Sequence, residues 1–184
     1  MKRTFIAVKI EIGEKLKEII SILRRELKND SVKWVDPDNM HITLAFLGDT
    51  GDETIKKVSS VVTKSCSGFG DFTFTISGLG IFKNLNDPRV IWAGIAGYDK
   101  FTSLHNIIKN GLEETDFKTE DRQFNPHLTL GRIKFLQSTR QLEELINRYS
   151  KTIFQQVSVS EIVFYESILQ QSGHVYWPIE KFRL

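Results

Sequence analysis

Asn39-Met40-His41-Ile42-Thr43-Leu44 and Asn125-Pro126-His127-Leu128-Thr129-Leu130 are two versions of one hexapeptide. The histidines are 86 positions apart, and so are the asparagines, threonines and second leucines. The chain has only 4 histidines in 184 residues, so two in matched surroundings carry information that one would not. Within each copy, polar and aliphatic residues alternate with the period of a strand, in which residues i and i+2 share a face. His41 and Thr43 therefore share one face, and Ile42 and Leu44 the other; His127 and Thr129 are opposed to Leu128 and Leu130 in the same way. The aliphatic residues are expected to pack under helices. The polar ones are expected to line a cleft, because burying them on an apolar face would leave polar groups to satisfy.

The surrounding elements repeat as well. Residues 4–10 read as a strand. Residues 11–29 carry Ile12, Leu16, Ile19, Ile20, Leu23 and Leu27 at helical spacing. Residues 33–37 form a short edge or turn segment, then come the His41 strand (40–47), a helix (52–66) and a strand (72–82). The order restarts with a strand at 89–96, a helix at 99–115, the His127 strand (127–133), a helix at 138–150 and one long strand at 154–165. Residues 167–179 can close a final hairpin. The spacing thus predicts an internal repeat over about 3–82 and 89–168, within one compact domain, 1–184, of two interleaved lobes. Strand–helix–strand units mixed with hairpins predict an α+β fold with helices outside.

Composition narrows the partners. With 25 basic and 23 acidic side chains the formal net charge is +2, too little bias for a long nucleic-acid footprint but compatible with a small anionic ligand. Cys66 is the single cysteine, which excludes an intrachain disulfide and a thiolate metal cluster and reads as core filler. The 13 phenylalanines suit a well-filled core. No stretch approaches the roughly 20 apolar residues of a membrane span, and MKRTFIAVKI is too short an apolar run for a signal peptide. The expectation is a cytoplasmic, monomeric protein.

Two facing imidazoles suit acid–base chemistry on a phosphodiester beside a hydroxyl. An ordinary histidine titrates near 6.5, so one ring can take a proton from water while the other gives one to a departing oxygen. Thr43 and Thr129 hydroxyls can donate to the non-bridging phosphate oxygens. The scheme calls for no metal or other cofactor; two histidines are too few for zinc, and Asp36, Asp38 and Asp121 have no spacing that makes them ligands. The absence of a GxxxxGK[ST] loop argues against an NTPase. His105 lies in a helical pattern and reads as structural or solvated, and His174 opens the last strand, where it can lie near the cleft.

The two hexapeptides resemble the signatures of the two-histidine (2H) phosphoesterases, in particular the RNA 2′,3′-cyclic phosphodiesterases, historically called 2′-5′ RNA ligases. Arg3-Thr4-Phe5-Ile6-Ala7-Val8 is similar to the opening strand of that family. Lys33-Trp34-Val35 through His41 to Phe46-Leu47-Gly48 is similar to its first motif block, and Asn125 through Arg132 to its second. The second block often reads Thr-Leu-Ala-Arg; here Gly131 replaces the alanine, which removes one methyl. The resemblance implies a bilobal, pseudo-two-fold fold with two mostly antiparallel sheets lining a central cleft. It implies hydrolysis of RNA 2′,3′-cyclic phosphate ends, tRNA halves among them, to 2′-phosphates. It also implies His41 as proton donor, His127 as proton acceptor, and Thr43 and Thr129 as phosphate ligands. Alternatives are a 2′-5′ linkage or small cyclic nucleotide as substrate, with ligation as a side reaction, and a non-catalytic RNA-end-binding module.

On the substrate side, Trp34, Phe46, Phe82, Phe124 and Tyr165 are candidates for stacking on a base. Trp34 and Phe124, in segments just before the histidine strands, are preferred; Phe46 has the parity of the core. Arg132 has the parity of Leu130, so simple pleating turns it away from His127, and only a bulge would bring it back to contact substrate. Lys83, Arg89, Lys118, Arg122 and Lys134 are candidates for a cationic rim.

Overall fold

A computed structural model describes residues 1–115, 117, 123–171 and 173–184. Nine strands and four helices of the described residues form an α+β fold. The strands are β1 (Lys2–Lys9), β2 (Ser31–Trp34), β3 (His41–Thr50), β4 (Phe72–Phe82), β5 (Val90–Ala96), β6 (His127–Phe135), β7 (Ile153–Val159), β8 (Glu161–Gln170) and β9 (Gly173–Arg183). The helices are α1 (Glu14–Glu26), α2 (Asp52–Cys66), α3 (Asp99–Glu113) and α4 (Thr139–Tyr149). One sheet has the order β3-β1-β8-β9 and the other β2-β6-β5-β4-β7. Every pairing in both is antiparallel.

The order shows where each strand is used. β4 follows the His41 strand in the chain but pairs with β5, in the sheet of His127. β8 follows the His127 strand but pairs with β1, in the sheet of His41. This exchange corrects the reading of 154–165 as a single strand. The chain leaves β7, paired with β4, turns at Ser160 and enters β8, paired with β1. Continuous β-rich sequence cannot reveal that a strand changes sheets, since strand-forming residues run up to Ser160 from both sides.

Strand parity holds in the core. Ile42, Leu44, Leu128 and Leu130 are each 2% exposed or less, and they belong to one buried core with Leu16 and Leu23 of α1, Phe101, Leu104 and Ile108 of α3 and Leu142 of α4. Each fully buried leucine or isoleucine contributes about 1.5–3 kcal/mol by leaving water, so the aliphatic half of each hexapeptide fastens the strand that carries the histidine. Cys66 is buried, and burial pushes its thiol up to about 11, consistent with filler. No helix among the described residues is long and apolar enough to cross a membrane.

Candidate active site

The two histidine strands face one cavity of about 570 Å³, lined by His41, Thr43, His127 and Thr129. The matched asparagines now have a physical role, through their backbones. His41 Nδ1–H donates to the Asn39 carbonyl at 2.7 Å, and His127 Nδ1–H donates to the Asn125 carbonyl at 2.8 Å. A ring that donates from Nδ1 is left, when neutral, with an unprotonated Nε2. Both imidazoles are therefore fixed in the same tautomer, each with Nε2 as its free nitrogen.

Both strands bulge at the leucine that closes the motif. In β3, Thr43 pairs with Ala7 and Ala45 with Ile6, so Leu44 is an extra residue. In β6, Thr129 pairs with Trp92 and Gly131 with Ile91, so Leu130 is extra. A bulge resets the pleat, and the residue two beyond it returns to the cleft. That residue is Phe46 in one strand and Arg132 in the other, and both line the cavity. Two parity readings are corrected by this single cause. Phe46 is not core: it is 43% exposed and lies over the Phe5 ring at 5.8 Å. Arg132 does not turn away from His127.

The electrostatics follow from these placements. Burial pushes the pKa of His41 below its ordinary 6.5, the Asn39 carbonyl works against that, and the Arg132 and His127 charges lower it further. His127 is lowered by burial, raised by the Asn125 carbonyl, and lowered by Arg132. Both shifts favour the neutral ring in the free protein. An anion between them would reverse the charge contribution.

The remaining candidates divide. Phe124 lines the cavity, stacked on His105 at 4.1 Å with an interplanar angle of 8°. Trp34, in contrast, lies outside it: its ring packs where a Gly131 Cβ would stand, with Arg24 at 5.9 Å over it. It faces the helix side because its register partner is Gly131, just past the bulge. Phe82 meets the His127 ring edge-on at 4.5 Å, and Tyr165 is buried against Phe5. Lys83 and Arg89 share Asp87, at 2.6 and 2.8 Å, which answers part of their charge locally. Lys134 is exposed; Lys118, Arg122 and Asp121 lie outside the described residues. Asp36 caps the turn at Pro37–Asn39, and Asp38 lines a second cavity of about 260 Å³.

Three groups complete the cavity wall beyond the residues preferred from the sequence. His105 has the structural role read for it, since its Nδ1–H donates to the Leu44 carbonyl at 2.7 Å, and it also lines the cavity. Tyr176 meets His41 edge-on at 5.0 Å and Phe5 at 5.0 Å. His174 and Ser167 share a 3.1 Å hydrogen bond in the β8–β9 hairpin. The Gly173–His174 end of β9 approaches β2 and the turn at 37–39. Asn39 Nδ2 donates to the His174 carbonyl at 3.1 Å, and a Cβ on Gly173 would stand 3.0 Å from Lys33 Nζ on β2. None of these has a local motif; each depends on strands that meet only in the fold.

The family description "LigT like Phosphoesterase" matches residues 6–92 and 96–176. A Methanothermobacter thermautotrophicus protein named RNA 2′,3′-cyclic phosphodiesterase is 33% identical over 184 residues, covering 99% of this chain and 98% of that one. A Thermotoga maritima protein of the same name is 33% identical over 176 residues, covering 95% of this chain and 91% of its own length. Among solved structures, that of a Thermus thermophilus protein superposes with a TM-score of 0.80 at 26% identity, covering 99% of this chain and 97% of that one.

Proposed function

Because the chain belongs to the LigT-like phosphoesterase family, we propose that it opens the 2′,3′-cyclic phosphate at RNA ends to leave a 2′-phosphomonoester. The single observation that carries this reading is the matched tautomer of the two imidazoles, each presenting Nε2. The names of the relatives at 33% identity support the substrate.

In the proposed reaction a water oxygen attacks phosphorus as its proton passes to His127 Nε2. The bond from phosphorus to O3′ breaks, and O3′ takes a proton from His41 Nε2. The proton gained by His127 then leaves through solvent, which also reprotonates His41. Thr43 and Thr129 donate to the non-bridging oxygens, and Arg132 balances the charge that grows there. The donor must be charged at the moment of reaction, although burial disfavours this in the free protein. The bound phosphodiester anion supplies the opposing field and raises the pKa of the ring beside it. The assignment of His41 as donor and His127 as acceptor rests on the resemblance to the family. Residues 3–82 and 89–168 would be the two repeats of an interleaved, monomeric unit, working in the cytoplasm on RNA ends such as tRNA halves.

The test is incubation of an oligonucleotide bearing a 2′,3′-cyclic phosphate, in the presence of chelator, with mass and phosphatase analysis. The expected product gains one water and carries a phosphatase-sensitive 2′-phosphate. A 3′-phosphate product, or tight binding with no product, would overturn the reading; faster turnover of a small cyclic nucleotide or of a 2′-5′ linkage would redirect it.

A further inference from the structure

The cavity is chemically polarised across β3. On one side α3 and the 123–126 segment bring His105 stacked on Phe124, an aromatic pair, with Gln123 and with Lys109, whose Nζ lies 3.9 Å from Glu113. On the other, β1, β8 and β9 bring Arg3, Ser167, His174 and Tyr176, a wall of donors. A nucleotide whose ribose edge lies at the histidines has the same polarity. Its base extends to one side and its 5′ oxygen to the other.

The donor wall is built by register. Thr4 pairs with Glu166, so continuing the antiparallel ladder sets Arg3 beside Ser167, and Ser167 pairs with Tyr176. His174 closes the group through its hydrogen bond to the Ser167 hydroxyl, 3.1 Å from Nδ1. Arg3 is exposed and forms no ion pair among the described residues. Its neighbour Lys2 takes Glu166 at 2.9 Å, and Asp49 stands opposite Arg3 in the ladder without closing a bridge to it. Arg3 lines the cavity, and its charge, like that of Arg132, opposes the rise that burial gives the pKa of Tyr176. A guanidinium, a hydroxyl, a phenol and an imidazole converging at one end of a cavity suit an anion with several acceptor oxygens.

We propose that Arg3, with Ser167 and His174, binds the 5′-phosphate of the nucleotide that bears the cyclic end. In an RNA that group is the phosphodiester to the preceding residue. The substrate class is then an RNA of at least two nucleotides, or a 5′-phosphorylated mononucleotide, in preference to a nucleoside 2′,3′-cyclic phosphate. The inference rests on the proposed function for the identity of the reacting end.

The experiment is titration calorimetry with adenosine 2′,5′-bisphosphate against adenosine 2′-monophosphate, alongside kcat/KM for adenosine 2′,3′-cyclic phosphate with and without a 5′-phosphate. The 5′-phosphate is expected to improve both quantities about tenfold, the scale of a charge-assisted contact. In Arg3→Met the ratio should fall to near one, and in Ser167→Ala to an intermediate value. Equal values for the two ligands in the unmodified protein would overturn the subsite. So would a ratio that survives Arg3→Met, including a case in which both substrates weaken together. If neither cyclic phosphate is hydrolysed while the bisphosphate still binds more tightly through Arg3, the subsite stands and the proposed reaction fails.

Discussion

β3, the His41 strand, is the outer strand of its sheet, paired with β1 alone, whereas β6, the His127 strand, runs between β2 and β5. Both need the same bulge, and each bulge leaves a leucine carbonyl to satisfy. On β6 the neighbouring chain does this: Val35 N–H donates to the Leu130 carbonyl at 2.9 Å. Among the described residues no strand lies outside β3, and the side chain of His105 donates to the Leu44 carbonyl instead. The rings differ as well. His41 sits against Phe5 at 4.9 Å and Tyr176 at 5.0 Å, while His127 meets only Phe82 among aromatic rings of the described residues, at 4.5 Å. Equivalent side chains thus stand in unequal surroundings, which is what two chemical roles in one reaction require.

The largest effects should come from the pair itself. His41→Ala and His127→Ala should each lower kcat on a cyclic phosphate end by about 10²–10⁴-fold, the usual contribution of a positioned acid or base, with the thermal transition retained. The comparison is sharpened by a phosphodiester whose leaving group is 4-nitrophenolate, which departs without a proton. On that substrate His41→Ala should lose far less than His127→Ala. The reverse order would exchange the two roles.

Arg132→Met should follow, with about a hundredfold loss of kcat/KM if the guanidinium meets the phosphate. It also tests the shared field: the Arg132 charge lowers the pKa of both rings, so the variant should raise both in an NMR titration. A rise in one ring alone would show that the field is not shared.

The pH dependence of stability can be argued by sign. Both folded histidine pKa values lie below the ordinary 6.5. Between the folded value and 6.5 the unfolded chain binds more protons, so acidification favours unfolding. Denaturation midpoints should fall as pH drops through 6.5, then level off with respect to these two groups below the folded values. Inorganic phosphate in the cleft should restore part of the loss. Phosphate with no effect on either titration would mean that the anion is not held between the rings.

How much of this could be read in advance depends on the range of the interaction. Alternation within six residues was enough to separate His41 and Thr43 from Ile42 and Leu44, because pleating is local. The same rule misplaced Phe46 and Arg132, because a bulge is set by the register of a partner strand distant in sequence. Trp34 was drawn to the cleft by its nearness to His41 in the chain, yet pairing with Gly131 turns it to the helix side. His105, Ser167, His174 and Tyr176 belong to the cavity only through α3 packing and the β8–β9 hairpin. No pattern around those residues announces that.

His105→Phe keeps an aromatic ring against Phe124 but removes the donor to Leu44. Leaving that carbonyl unmet should cost about 1–2 kcal/mol of stability, read from denaturant midpoints. Because Phe46 lies two residues beyond the bulge, turnover should fall several-fold through KM. The mirror perturbation on β6 has no side-chain donor to remove: Val35→Ala keeps its N–H on Leu130 and, although Val35 lines the cavity, should change KM less than His105→Phe does. Equal losses in the two variants would mean that the strands are held alike.

The smallest effect concerns the methyl absent at Gly131. A Cβ there would stand 2.9 Å from Val32 Cγ1 and 3.0 Å from Trp34 Cε3. Both contacts are side chains of β2, so the obstruction is packing rather than backbone strain, and no positive φ is involved. Gly131→Ala should therefore cost about 1–2 kcal/mol, the scale of modest overpacking. Trp34→Leu should itself cost stability by shrinking a half-buried ring, but in its background the added methyl should cost less, with only the Val32 contact left to relieve. A double-mutant cycle with a coupling of about 1 kcal/mol or more would place Trp34 in the packing on the helix side of β6. Additive effects would show that the methyl is obstructed elsewhere. In neither case should kcat change by more than about twofold, since Arg132 is returned to the cleft by the extra residue at Leu130 and not by the space beneath Gly131.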